Sequence, residues 1–139
     1  MNEPLTEELL GQLLASPDPA QFADAHGINE PSLSQYLQQL LKEKGLVRVD
    51  VVHAAGLNET FGYQIFMGQR NASRDKLLQL AFALRCTLKE ANRLLHAGGA
   101  SQLYCKNRRD AIIIFCIDRG YTLMHANEEL YRFDEDTIC

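Results

Sequence analysis

The stretch GLNETFGYQIFMGQRNAS, residues 56–73, carries its own punctuation. Gly56 accepts the positive φ that a tight turn demands. Asn58 is a strong helix N-cap, Gly68 a stop, and Ser73 a cap for whatever follows. The segment therefore reads as turn, helix over about residues 58–67, loop, and the start of another helix. Inside that helix stand Phe61, Gly62, Tyr63 and Phe66, three aromatics and a helix-weakening glycine. What this face meets is the question on which a functional reading turns.

Working outward, helix signals recur and strand signals do not. No window alternates apolar and polar residues cleanly, and no Asn-Gly or Asp-Gly hairpin turn appears. Thr6 with Glu7 and Glu8 caps a helix running to about Ser16. Asp18-Pro19 starts a short helix that ends at Gly27. A helix from near Pro31 carries Leu33, Leu37, Leu40 and Leu41 and stops at Gly45. A short helical segment then spans residues 47–55, leading into the turn.

Beyond it, Ser73 caps a helix in which Leu77, Leu80, Ala81 and Leu84 recur at i, i+3, i+4 and i+7. Thr87 and Glu90 form a capping box, and Gly98-Gly99 closes the helix they open. Asp110 is a candidate cap for the run AIIIFCI, read as a buried helix ending at Gly120. Its β-branched content keeps a strand as the competing reading. Thr122 starts a last helix, and the acidic tail Asp134-Glu135-Asp136 is expected to fray. The fold class expected is all-α, with about eight helices.

The chain's 139 residues, 46% apolar and 23% charged, suit a soluble globular protein of one domain with extensions. No apolar run reaches the roughly 20 residues of a membrane span, and MNEPLTEELL shows no secretory pattern. Cys86, Cys105, Cys116 and Cys139 have no metal-site spacing and are read as reduced thiols in a cytoplasm. The net charge of −4 is unevenly spread. Residues 1–31 hold six acids and no base, residues 32–99 nine bases and five acids, and residues 100–139 five bases and seven acids. Positive charge is thus concentrated around the quoted stretch, and attraction to phosphate is local at physiological salt.

Short helices across residues 32–67, the last introduced by Gly-Leu-Asn, have the spacing of a helix-turn-helix. From LQQLLKEKGL through VVHAAGLN and YQIFMGQRNAS to KLLQLAFALRCTLKEANRLL, roughly residues 35–99, the chain resembles the phage-repressor-like (XRE) family of DNA-binding proteins. The resemblance implies a helix-turn-helix bundle at residues 32–99. An acidic helical extension precedes it at residues 1–31, and a C-terminal helical extension at residues 100–139 packs on the same core. It implies a bacterial-type, sequence-specific transcriptional regulator that binds double-stranded DNA, with a homodimer on a two-fold operator. The AIIIF run is the candidate dimer contact, with a core helix as the other reading.

Carried over position by position, Arg48 corresponds to a phosphate contact. Asn58, Glu59, Thr60 and Gln64 fall on the exposed face of the recognition helix. Gln64 and Asn58 are the candidate base readers, because an amide pairs with adenine at two points. Arg70, Asn71 and Ser73 lie in the loop that touches backbone phosphates, with Arg74 and Lys76 close behind. The sequence departs from the family at two positions that normally pack together. Val52 stands where a small Ala is usual and Gly62 where a large aliphatic is usual, a reciprocal exchange of size.

The alternative is a protein-interaction module on a diverged helix-turn-helix, docking a partner through an aromatic helix face with Phe61 and Phe66 as contacts. Exposure of those two side chains separates the readings, since aromatics at helical spacing are also ordinary core residues. The basic cluster Lys106, Arg108 and Arg109 reads as a solvated helix start more readily than as a binding patch. His26, His53, His96 and His125 are dispersed, and no phosphate loop, nucleophile elbow or acid/base pair appears. No enzyme activity, metal or cofactor is expected.

Overall fold

The computed structural model describes residues 6–20 and 30–139, and every regular element within them is a helix. The chain divides into two compact units, Met1–Glu30 and Pro31–Cys139. In the first, α1 (Thr6–Ala15) takes in Thr6 as its first residue, where a cap was expected. The Asp18 carboxylate accepts from the Ala20 amide at 3.0 Å, as a cap should. The rest of the helix expected up to Gly27 lies outside the described residues.

The second unit contains seven helices among the described residues: α2 (Leu33–Lys44), α3 (Arg48–Ala54), α4 (Glu59–Phe66), α5 (Arg74–Ala83), α6 (Leu88–Ala97), α7 (Arg108–Asp118) and α8 (Leu123–Arg132). Their ends follow from side-chain chemistry. Ser32 with Gln35, and Thr87 with Glu90, form reciprocal capping boxes on α2 and α6. Asn58, Ser73 and Thr122 each accept an amide of the first turn of α4, α5 and α8. Gly45 closes α2 at φ +62°, the left-handed conformation that only glycine adopts without cost.

Helix α5 lies at the centre, packed on α3, α6 and α8. Leu77, Leu78, Leu80 and Ala81 are buried along it, joined by Leu37 and Leu40 of α2 and Leu94 and Leu95 of α6. Ile113 of α7 and Leu130 of α8 belong to the same core, so residues 100–139 pack with residues 32–99 as one body.

Two expectations about the C-terminal part are corrected. The run AIIIFCI is helical, but its cap is Asn107, whose side chain accepts from the Asp110 amide at 2.9 Å. Asp110 sits inside the first turn with its carboxylate turned to other work. Ile113, Cys116 and Ile117 are buried, and packing of these side chains overrides the β-branched preference for a strand. Of the AIIIF run offered as a dimer contact, only Phe115 is well exposed, because the helix turns the rest inward or halfway.

Nor does the tail fray. Arg109 donates to the carbonyls of Asp136 and Thr137 at 2.9 and 3.2 Å, and Arg108 pairs with Glu135 at 3.6 Å. Ile138 is buried, and its amide donates to Asn127 at 2.7 Å. An apolar anchor and a clamped backbone outweigh the mutual repulsion of three acids. Among the described residues no helix is long and apolar enough to cross a membrane.

Candidate nucleic-acid interface

Helix α4 is positioned from three directions. The turn before it is fixed by Gly56 at φ +72° and by Gln79, a buried glutamine of α5 that donates to the Ala55 carbonyl at 2.9 Å. Without that amide the turn would leave a buried carbonyl unsatisfied, a cost of about 1–3 kcal/mol. Along its length α4 meets α3 at Gly62, whose missing side chain leaves room for Val52. At its end the Phe66 carbonyl accepts from Ser34 Oγ and from Gln38 Nε2 of α2. These bonds satisfy a terminal carbonyl that the helix itself cannot.

So held, α4 buries Gly62, Ile65 and Phe66 and presents Glu59, Thr60, Tyr63 and Met67 outward. Gln64 and Phe61 are half-buried. On the α3 side, the Arg48 guanidinium lies over the Tyr63 ring, 4.7 Å from its centroid. Arg70, in the loop after α4, lies 5.3 Å from the Phe61 centroid, and Lys76 of α5 lies 5.9 Å from it. Among the described residues none of these three cations has a carboxylate within ion-pair distance. A groove of about 290 Å³ runs between α3 and α4, lined by Arg48, Val49, Val52, Glu59, Thr60 and Tyr63.

The residues singled out in the sequence divide into two groups. Arg48, Glu59, Thr60, Gln64, Arg70 and Asn71 lie on or beside the outward face of α4 and the loop after it. Ser73 is exposed but works as the α5 cap, accepting from the Lys76 amide at 3.3 Å, which leaves its hydroxyl proton to donate. Asn58 is a correction. Its Oδ1 accepts from the amides of Thr60 and Phe61 at 2.9 and 3.2 Å, so the two-point pairing with adenine is closed to it while α4 keeps its cap.

Arg74 is a second correction. Its guanidinium makes a two-pronged contact with Asp110 at 2.9 and 2.8 Å and donates to the carbonyls of Ser101 and Gln102. It is a bolt between α5 and α7, its donors engaged by Asp110, Ser101 and Gln102. Burial would raise the Asp110 carboxyl, but Arg74 and the Tyr104 amide overcome it and hold the group below the usual carboxylate range. The neighbouring pair Arg109–Asp75, at 3.1 Å, repeats the link between the same two helices. The basic residues at the start of α7 thus serve packing and the tail.

Phe66 is the third. It is 0% exposed, a core side chain between α4 and its neighbours, so a partner surface built on Phe61 and Phe66 loses one of its two anchors. Sequence reading missed Gln79, Ser34 and Asp110. For Gln79 there was a signal, a lone amide inside the apolar run LLQLAFAL; for Ser34 and Asp110 the pairing is visible only in three dimensions. No group of three or more His, Cys, Asp or Glu side chains able to hold a metal occurs among the described residues. Comparison with protein-family models, with curated proteins and with solved structures found no match.

Proposed function

We propose that this protein is a sequence-specific DNA-binding regulator of the phage-repressor-like helix-turn-helix type, with α3 and α4 as the two motif helices. The observation that carries the reading is three cations without carboxylate partners among the described residues, Arg48 on one flank of α4 and Arg70 with Lys76 on the other. Cations on both flanks of a helix whose outward face carries Glu59 and Thr60 beside Tyr63 suit a helix lying in the major groove with the sugar-phosphate backbones on either side. Thr60 and Gln64 are then the groups nearest the base edges, and Glu59 is placed to accept from a cytosine amino group. Arg48, Arg70, Lys76 and the Ser73 hydroxyl meet phosphates.

One such module presents few contacts, so two copies on a two-fold site are part of the proposal, in a cytoplasmic setting. The AIIIF run offers a second copy little besides Phe115. Docking of the aromatic face onto a protein partner is the weaker reading, since Phe66 is buried and Phe61 half-buried under two cations.

Selection of the intact protein against random duplex DNA tests the proposal. Enrichment of a defined site is expected. On that site Gln64→Ala should cost ~1–3 kcal/mol and relax preference at one base pair, sparing non-specific binding. Arg70→Ala should weaken all sequences alike. No enrichment from folded protein would overturn the reading.

A further inference from the structure

The aromatics of α4 remain to be explained, and the cations beside them supply the reason. We infer that Tyr63 and Phe61 are positioning residues: their ring faces hold Arg48, and Arg70 with Lys76, in place for phosphate while leaving each cation's charge unneutralised. The inference rests on the DNA-binding reading above and names how its backbone clamp is built.

A free arginine has many rotamers, and fixing it on binding costs conformational entropy. A carboxylate would fix it beforehand but would also cancel the charge that attracts phosphate. An aromatic face attracts the cation through its quadrupole, within about 6 Å of the centroid, and adds no net charge. Both methods occur in this protein. Arg74 and Arg109, which link α5 to α7, are held by Asp110 and Asp75. Arg48, Arg70 and Lys76 are held by rings.

Helical geometry distributes these contacts. Residues two apart on a helix point about 200° apart, so Tyr63 and Phe61 diverge to opposite flanks of α4. Tyr63 reaches Arg48 on α3, fifteen positions earlier in the chain, and Phe61 reaches the loop residue Arg70 and Lys76 on α5. The other two such contacts among the described residues are local and of a different kind: Arg119 covers Phe115 four residues before it, and Arg132 covers its neighbour Phe133 while also pairing with Glu129. Among the described residues, only the α4 contacts join separate segments around one outward face.

Tyr63 is the cleaner test, being 43% exposed and outside the core, whereas Phe61 also packs against it. The full-length protein and its Tyr63→Phe, Tyr63→Leu and Arg48→Ala variants are titrated with labelled random-sequence duplex DNA at several salt concentrations. In the free proteins, the ring-current shift of the Arg48 side-chain protons is followed by NMR. Tyr63→Phe, which keeps the ring, should bind as the parent does and keep the shift. Tyr63→Leu should lose the shift, unfold at the same temperature, and bind every sequence about two- to fivefold more weakly, the loss of one exposed cation–ring contact. In the Tyr63→Leu background, Arg48→Ala should cost less than it does alone. Parent-like binding by Tyr63→Leu, or full additivity of the two substitutions, would overturn the inference while leaving the DNA reading intact. Absence of salt-dependent binding by the parent protein itself would remove both.

Discussion

Gly62 and Val52 share a space that holds only one side chain. An ideal Cβ built on Gly62 would stand 2.6 Å from Val52 Cγ2 and closer still to Cγ1. Both residues are buried, and α3 and α4 cross at this point. A glycine inside a helix costs roughly 1 kcal/mol relative to alanine, and close approach by a rigid β-branched neighbour is the compensating reason for it. Adding bulk at Gly62 therefore overpacks the crossing.

Gly62→Ile should lower stability by ~1–3 kcal/mol. Val52→Ala alone should also destabilise, by opening a void. Combined, the two changes should cost clearly less than their sum, because each relieves the other. Denaturant unfolding of the three variants checks this, and simple additivity would show that the two sites do not share their space.

Much of this arrangement was legible from residue types. The caps Ser73, Thr87, Thr122 and Asn58 and the stops Gly45 and Gly68 act through their own backbone neighbourhood, so local sequence suffices to find them. The size relation of Val52 and Gly62 was readable against the family resemblance. What escaped were long-range pairings. Arg74 resembles any exposed arginine of a first helical turn until Asp110, thirty-six positions away, is seen beneath it. The acidic tail looked mobile because the bond partners of its backbone, on Arg109 and Asn127, lie far off in sequence. Phe66 could not be separated from an exposed aromatic by spacing alone.

Arg74→Ala tests the reassignment of that residue. The Asp110 side chain is 7% exposed and would lose its counter-ion, while Arg74 is 25% exposed and some water can replace it. The expected loss of stability is ~2–4 kcal/mol, somewhat under the full cost of breaking a buried pair. DNA affinity per folded molecule should be unchanged. A stable Arg74→Ala variant with weakened DNA binding would restore the phosphate role.

The same ion pair sets an acid limit. The Asp110 carboxyl is held below its ordinary value of 3.8 in the folded state, so the unfolded chain takes up its proton first as pH falls. Its contribution is fully present above about pH 4 and is lost as pH drops through the lower, folded value. Asp110→Asn should therefore be less stable at neutral pH and show a flatter stability profile below about pH 4. Equal slopes in acid unfolding titrations of the two proteins would count against this account.

Residues 1–31 carry six acids and no base, and a segment of that charge repels a phosphate backbone. Removing it should leave DNA affinity unchanged or raise it, most visibly at low salt where screening is weak. Comparing full-length and truncated protein by anisotropy is sufficient. A marked loss of affinity from folded, truncated protein would show that the segment contributes to binding.

If Arg48, Arg70 and Lys76 meet phosphates, the salt dependence of duplex binding reads it out. For each phosphate a cation neutralises, the slope of log K against log salt should steepen by about 0.9. Three such cations imply a slope near −3 for each bound protomer, with one unit lost on Arg70→Ala. Folded protein that shows no salt-dependent binding to duplex DNA at low ionic strength would contradict the account.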